Sequence, residues 1–230
     1  MKKWTRVMYQ PNRPLKEGCY VTASKEHIAL SREAAAEGMV LLKNEHKLLP
    51  LKAGSRIALF GKGSFDYVKG GGGSGDVTVS YVHNLYDGFQ MLHDAVSLYE
   101  PLCDFYRANV NEQYDQGSVP GMTTEPALSA GLLAGASAYT DTAVIVLSRF
   151  SGEGWDRSSI EYNGEYNPWE TETSMPKISG EIFPDGDFYL TKEESAMIAQ
   201  VKQHFSRIAV VLNIGGIIDT SWIKNDDQIS

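Results

Sequence analysis

Ala143-Val144-Ile145-Val146-Leu147, running into Ser148-Arg149-Phe150-Ser151-Gly152-Glu153-Gly154-Trp155-Asp156-Arg157, is the stretch that decides how this chain folds. An unbroken apolar run rich in β-branched residues predicts a strand buried on both faces, the pattern of a parallel sheet. Just beyond it Glu153 stands between two glycines, which let the backbone turn sharply and present a carboxylate at the sheet edge. Trp155 beside it offers an apolar wall that raises an acid's pKa, or a flat face on which a ring can stack. The plainer reading has Glu153 solvated and Trp155 packed on the sheet, and without further information it is the stronger.

Working outward, Arg56 to Phe60 and Ile208 to Leu212 read as further buried strands, and Ala95 to Leu98 as a short one. Helical spacing places Ile28, Ala35, Met39 and Leu42 on one face of Lys25 to Lys43, with Ser24 as N-cap. Asn84 caps a helix with the face Leu85, Phe89 and Leu92. Ala127 to Ala138 reads as a small-residue helix, after polar loops around Asn111 to Thr124. Thr191 and Glu194 form a capping-box pattern ahead of Met197, Ile198, Val201 and Phe205. Strands alternating with helices in this way predict βαβ units: an α/β fold, a mostly parallel sheet flanked by helices. Ser151 to Leu190 is expected as a long irregular loop. Its aromatic content argues against disorder and its length for function.

The 230 residues are 42% hydrophobic and 22% charged, ordinary for a globular domain, so one domain is expected. A balance of 21 basic against 29 acidic residues, with no basic run, gives nucleic acid no electrostatic footprint. Met1 to Arg13 lacks the apolar core of a secretory signal and no run is long enough for a membrane span, so a cytoplasmic location is expected, with no membrane partner. Cys19 and Cys103 are too few for a disulfide scaffold or a thiolate metal site, and the five histidines are scattered without metal spacing. No metal or cofactor is expected.

The tract Gly70-Gly71-Gly72-Gly73-Ser74-Gly75 contains a formal G-x-G-x-x-G. A dinucleotide fingerprint should follow a strand and open a helix, whereas here β-like Val77 to Val82 follows. Nor is Ser74 a nucleophile elbow, because Asp76 stands where the last glycine should be. Residues without Cβ do allow backbone N–H groups and the Ser74 hydroxyl to approach a polar ligand closely. A plain surface loop fits as well. Both this tract and the Ser151 loop lie downstream of strand ends, so the two are expected to converge on one crevice.

The series Ser31-Arg32-Glu33-Ala34, Gly38-Met39-Val40-Leu41-Leu42-Lys43-Asn44 and Leu48-Leu49-Pro50-Leu51 resembles the entry to the α/β-sandwich domain of family-three glycoside hydrolases. The resemblance continues through Ile57-Ala58-Leu59-Phe60-Gly61, Lys69-Gly70-Gly71 with Gly73-Ser74-Gly75, Ser148 to Arg157, Phe188-Tyr189-Leu190 and Val210 to Gly215, nearly the whole chain. In such enzymes the active site lies between a (β/α)₈-type barrel and this domain, and the Ser-Gly-Glu-Gly glutamate is the general acid/base. The resemblance assigns that role to Glu153, sugar contact to Gly73, Ser74 and Gly75, and bracing of the loop to Asp156 and Arg157. Trp155 is the aromatic expected to contact substrate.

The family's nucleophile is an aspartate in a Ser-Asp-Trp-type motif on the barrel, and no such tripeptide occurs here. Residues 1–230 therefore read as a single sandwich domain of a larger retaining, exo-acting, β-glucosidase-like enzyme, with 1–24 a leading segment, 151–190 the active-site loop, and the domain cut short at its C-terminal end. The implied partners are a β-linked glucoside and the missing barrel of the same chain, and the chain alone is expected to be inactive. A noncatalytic carbohydrate-binding or interaction domain is the alternative, and a nucleotide-dependent α/β protein a more distant one.

Overall fold

The computed structural model describes residues 15–20, 24–72, 79, 81–152, 157 and 174–230. The chain divides into two compact units, Met1–Leu42 and Lys43–Ser230. In the first, strands β1 (Leu15–Lys16) and β2 (Cys19–Tyr20) pair antiparallel across Glu17-Gly18, both at positive φ, as a two-residue hairpin turn requires. Helix α1 (Lys25–Glu37) starts at Ser24, whose hydroxyl accepts from the His27 N–H. It is shorter than the expected Lys25 to Lys43. Met39 and Leu42 lie past its end and are exposed. A helix this short draws most of its stability from a packed face, and α1 buries no residue, so Gly38 is enough to end it.

The second unit holds β3 (Ser55–Phe60), α2 (Leu85–Gln90), β4 (Val96–Leu98), α3 (Glu100–Asp115), α4 (Ala130–Tyr139), β5 (Thr142–Arg149), α5 (Ser174–Ile182), α6 (Lys192–His204), β6 (Arg207–Ile214) and α7 (Ser221–Lys224). The sheet order is β4-β3-β5-β6, with every pair parallel. β5 is central and buried along its whole length, and it runs in register with β6 from Thr142↔Arg207 to Arg149↔Ile214. The expected α/β fold is therefore present. Beside β6, Ile229 forms a parallel bridge to Ile208.

Period-two alternation splits the strands between two cores. Ala58, Phe60, Ala143, Ile145 and Leu147 face α3, α4 and α6 through Leu102, Tyr106, Leu133, Ala136, Met197, Val201 and Phe205. Ile57, Leu59, Val144 and Val146 face the other side, where Leu48, Cys103 and the half-buried Leu85 and Phe89 of α2 cover them. Phe60 and Phe205 meet edge to face, with ring centroids 5.2 Å apart. The capping boxes at both α2 (Asn84, Asp87) and α6 (Thr191, Glu194) form, each satisfying otherwise orphaned N–H groups.

Two stretches differ from the sequence reading. The expected polar loops overlap α3, which continues to Asp115 because Leu102, Cys103, Tyr106 and Val110 share one buried face. Within the expected irregular stretch 151–190 lies α5, where Ile178 and Ile182, one turn apart, pack against buried Met122 and Phe183. Of the expected β-like run Val77 to Val82, residues 79, 81 and 82 are described and none is in a strand.

Candidate active site

The carboxyl ends of β3, β5 and β6 lie together at one edge of the sheet. After β3, Gly61 turns at φ 93° so close to β5 that a Cβ there would lie 2.2 Å from the Val146 carbonyl oxygen. The turn buries Lys62, whose Nζ donates to Asp66 Oδ2 at 3.0 Å and to the Gly121 carbonyl at 3.2 Å. Asp66 also accepts from the Tyr114 and Thr123 hydroxyls, each at 2.6 Å. Burial alone would raise the Asp66 pKa, but the Lys62 charge and these donors hold it at about 2. Behind this cluster Glu125 accepts from the Lys62 backbone N–H at 2.8 Å and from Tyr106 Oη at 2.8 Å. Here burial outweighs the donors and pushes the carboxyl up to about 7.

From this anchor the chain crosses toward β6. The Val68 N–H donates to Asn213 Oδ1 at 2.7 Å, and Asn213 Nδ2 donates back to the Val68 carbonyl at 3.1 Å. The glycine tract that follows reaches the loop after β5: the Gly72 N–H donates to the Ser151 carbonyl at 3.0 Å. A Cβ on Gly72 would stand 3.1 Å from the Phe150 ring, and one on Gly215, just past β6, 3.1 Å from Ser151 Oγ. A side chain at either position would crowd the Phe150 ring or the Ser151 hydroxyl.

Two arginines, Arg149 at the end of β5 and Arg157 beyond it, are both bonded to the segment that leads into α6. Arg149, fully buried, makes a two-point pair with Glu194, Nη1 to Oε1 and Nη2 to Oε2, both at 2.7 Å. Its remaining N–H groups donate to the carbonyls of Ser148, Tyr189 and Asp187, each at 2.9 Å, so all five guanidinium donors are used. Arg157 donates from Nε to Asp187 Oδ2 at 3.0 Å, from Nη2 to the Asp187 carbonyl at 2.9 Å, and from Nη1 to the Ile217 carbonyl at 2.6 Å. The Arg149 guanidinium lies 4.5 Å from the Phe183 ring centroid and that of Arg157 5.1 Å from Phe188. Planar stacking and forked bonding of this kind suit arginine and not lysine.

Of the residues singled out in the sequence, Gly73, Ser74, Gly75, Glu153, Trp155 and Asp156 lie outside the described residues. Their neighbours Gly72 and Ser151 are hydrogen-bonded to each other. Arg157 is described, and its ion-pair partner there is Asp187, a residue the sequence reading did not single out. Asp187, Glu194 and Arg149 were missed as a set. The available signal was an arginine closing an otherwise apolar buried strand, since a buried charge demands a buried counter-charge. Among the described residues no three His, Cys, Asp or Glu side chains are grouped to hold a metal ion.

Residues 39–230 match the glycosyl hydrolase family 3 C-terminal domain. The chain is 53% identical over its whole length to beta-glucosidase A of Butyrivibrio fibrisolvens, and spans 28% of that protein. It is 30% identical to a beta-glucosidase of Ruminococcus albus over 86% of this chain and 19% of that protein. The solved structure of beta-glucosidase 3B from Thermotoga neapolitana in complex with alpha-D-glucose superposes on 88% of this chain and 26% of its own, with TM-score 0.68 and 30% identity. The chain thus spans under a third of the length of each of these proteins. With the parallel sheet, the sequence match and the structural likeness in agreement, the chain belongs to the glycosyl hydrolase family 3 C-terminal domain family.

Proposed function

We propose that this chain is the acid/base-bearing domain of a retaining, exo-acting β-glycosidase that acts on β-linked glucosides. Glu153 protonates the leaving oxygen and then deprotonates the incoming water. The nucleophile comes from a barrel domain of the same enzyme, because retaining hydrolysis requires a second carboxylate ~5 Å from the first. Gly73, Ser74 and Gly75 contact the sugar and Trp155 stacks beside it. Asp156 and Arg157 brace the loop, and residues 1–230 without the barrel are inactive.

The observation that carries this reading is the Gly72 N–H to Ser151 carbonyl hydrogen bond at 3.0 Å. It ties the glycine tract to the Ser-Gly-Glu-Gly stretch at the carboxyl edge of a parallel sheet, where α/β folds build their sites. That relatives of this chain are beta-glucosidases supports a β-linked glucoside as the substrate class. The test is hydrolysis of aryl β-glucosides by the complete enzyme carrying Glu153→Ala. The reading expects turnover to fall by about 10²-fold or more and to recover partly with azide, giving a β-glucosyl azide. Unchanged turnover would remove Glu153 from the mechanism.

A further inference from the structure

At the carboxyl edge of the sheet, beside the segment that follows β3, lies an open groove of about 520 Å³ lined in part by Tyr67, Val68, Val79, Tyr81, Val82 and Asn213. Val79, Tyr81 and Val82 are 46%, 54% and 48% exposed, three large apolar or aromatic side chains within four positions. The polar groups beside them are already engaged. Asn213 bonds both backbone groups of Val68, and the His83 ring lies 4.9 Å from that of Tyr81, with Nδ1 3.9 Å from Asp87 Oδ2. A sugar needs several free donors and acceptors around its hydroxyls. This groove offers apolar faces instead, the kind of surface that another protein surface covers.

Its position indicates which surface that is. Gly70 also borders the groove, and Gly72 donates to the Ser151 carbonyl, so the groove and the loop after β5 are joined by two residues of chain, a reach of at most ~7 Å. A domain that meets that loop therefore has the groove inside its footprint, since contacts between domains cover about 600–1,500 Å². This chain spans 28% of beta-glucosidase A, so most of a protein of that kind lies outside these residues. We infer that the groove is a docking site for the barrel domain of the same enzyme, which packs an apolar segment against Tyr67, Tyr81 and Val82. This rests on the reading above in taking a barrel domain as the source of the nucleophile.

The test is made on the complete enzyme. Val79→Cys, Tyr81→Cys and Val82→Cys are each treated with a small maleimide, and the labelling rate at each position is read by mass spectrometry of the peptides, beside Met91→Cys and Leu92→Cys. Those two controls are similarly exposed in this domain, at 46% and 57%, and stand at the opposite edge of the sheet, where the Leu92 carbonyl accepts from the Ala95 N–H just before β4. The inference expects labelling ~10-fold or more slower at positions 79, 81 and 82 than at the controls. It also expects p-benzoylphenylalanine in place of Tyr81 to cross-link, within one chain, to a peptide of the barrel. Labelling as fast as the controls overturns the inference, and so does protection without that cross-link, whether a second copy gives it or glucose does when added. Glu153→Ala is run beside them with azide. A freely labelled groove in an enzyme whose Glu153→Ala form loses turnover that azide restores overturns the docking site and leaves the acid/base reading standing. A protected, cross-linked groove in an enzyme that Glu153→Ala leaves fully active supports the docking site and removes the acid/base reading.

Discussion

Arg149 and Glu194 meet in a two-point ion pair inside the protein, with both N···O distances at 2.7 Å, although 45 residues separate them in the chain. The contact joins the end of the central strand to the first turn of α6, so a strand, a helix cap and a loop foot depend on one carboxylate.

Glu194→Ala should therefore destabilise the domain by roughly 3–5 kcal/mol, since it leaves the Arg149 charge buried without a partner and removes half of a capping box. Glu194→Gln should cost less, because it keeps the shape and an acceptor. Urea unfolding of both variants checks the order; equal, small losses would mean that Arg149 finds other compensation.

The turn after β3 gives a paired glycine test. Gly61 and Gly54 both sit at positive φ, 93° and 82°, but a Cβ on Gly61 would strike the Val146 carbonyl while nothing lies within 4 Å of one on Gly54. Gly54→Ala should cost about 1 kcal/mol, the backbone strain alone. Gly61→Ala should cost several-fold more, because β3 and β5 must separate to admit the methyl group. Similar unfolding midpoints for the two would show that the Gly61 contact yields.

Stability should fall as pH rises through the range set by Glu125. Burial raises this carboxyl from 4.5 to about 7, so the folded state holds a proton that the unfolded chain gives up. Its contribution is present in full below about pH 4.5 and is lost as pH approaches 7, with an amplitude on the order of a few kcal/mol. Asp66 works in the opposite sense and outside this window, its contribution holding above 3.8 and fading as pH falls toward 2. Glu125→Gln should flatten the decline between about pH 4.5 and 7 relative to wild type in urea titrations. An unchanged slope would show that Glu125 ionises normally in the folded protein.

The parts of this fold that were legible in the sequence are those in which one local pattern suffices. Ala143 to Leu147 could hardly be anything but a buried strand, and Thr191 with Glu194 marked the start of α6 to the residue. Helix α3 was missed because most of its residues are polar, and Leu102 and Tyr106, one turn apart, stand out as a face only where they pack into the core. At the site, adjacency of the glycine tract and the Ser151 loop followed from the rule that parallel sheets gather their loops at the carboxyl edge. The bracing did not follow. Asp187 and Glu194 lie 38 and 45 residues from Arg149, a distance over which periodicity carries no information and only the need to neutralise a buried arginine hints at a partner.

The most direct measurement is turnover of an aryl β-glucoside bearing a good leaving group by the complete enzyme, wild type against Glu153→Ala, with and without azide. The account predicts a loss of about 10²-fold or more that azide partly reverses as a β-glucosyl azide appears. Full activity in the variant, or a loss that azide leaves untouched while the protein remains folded, would contradict the assignment of Glu153 as the acid/base.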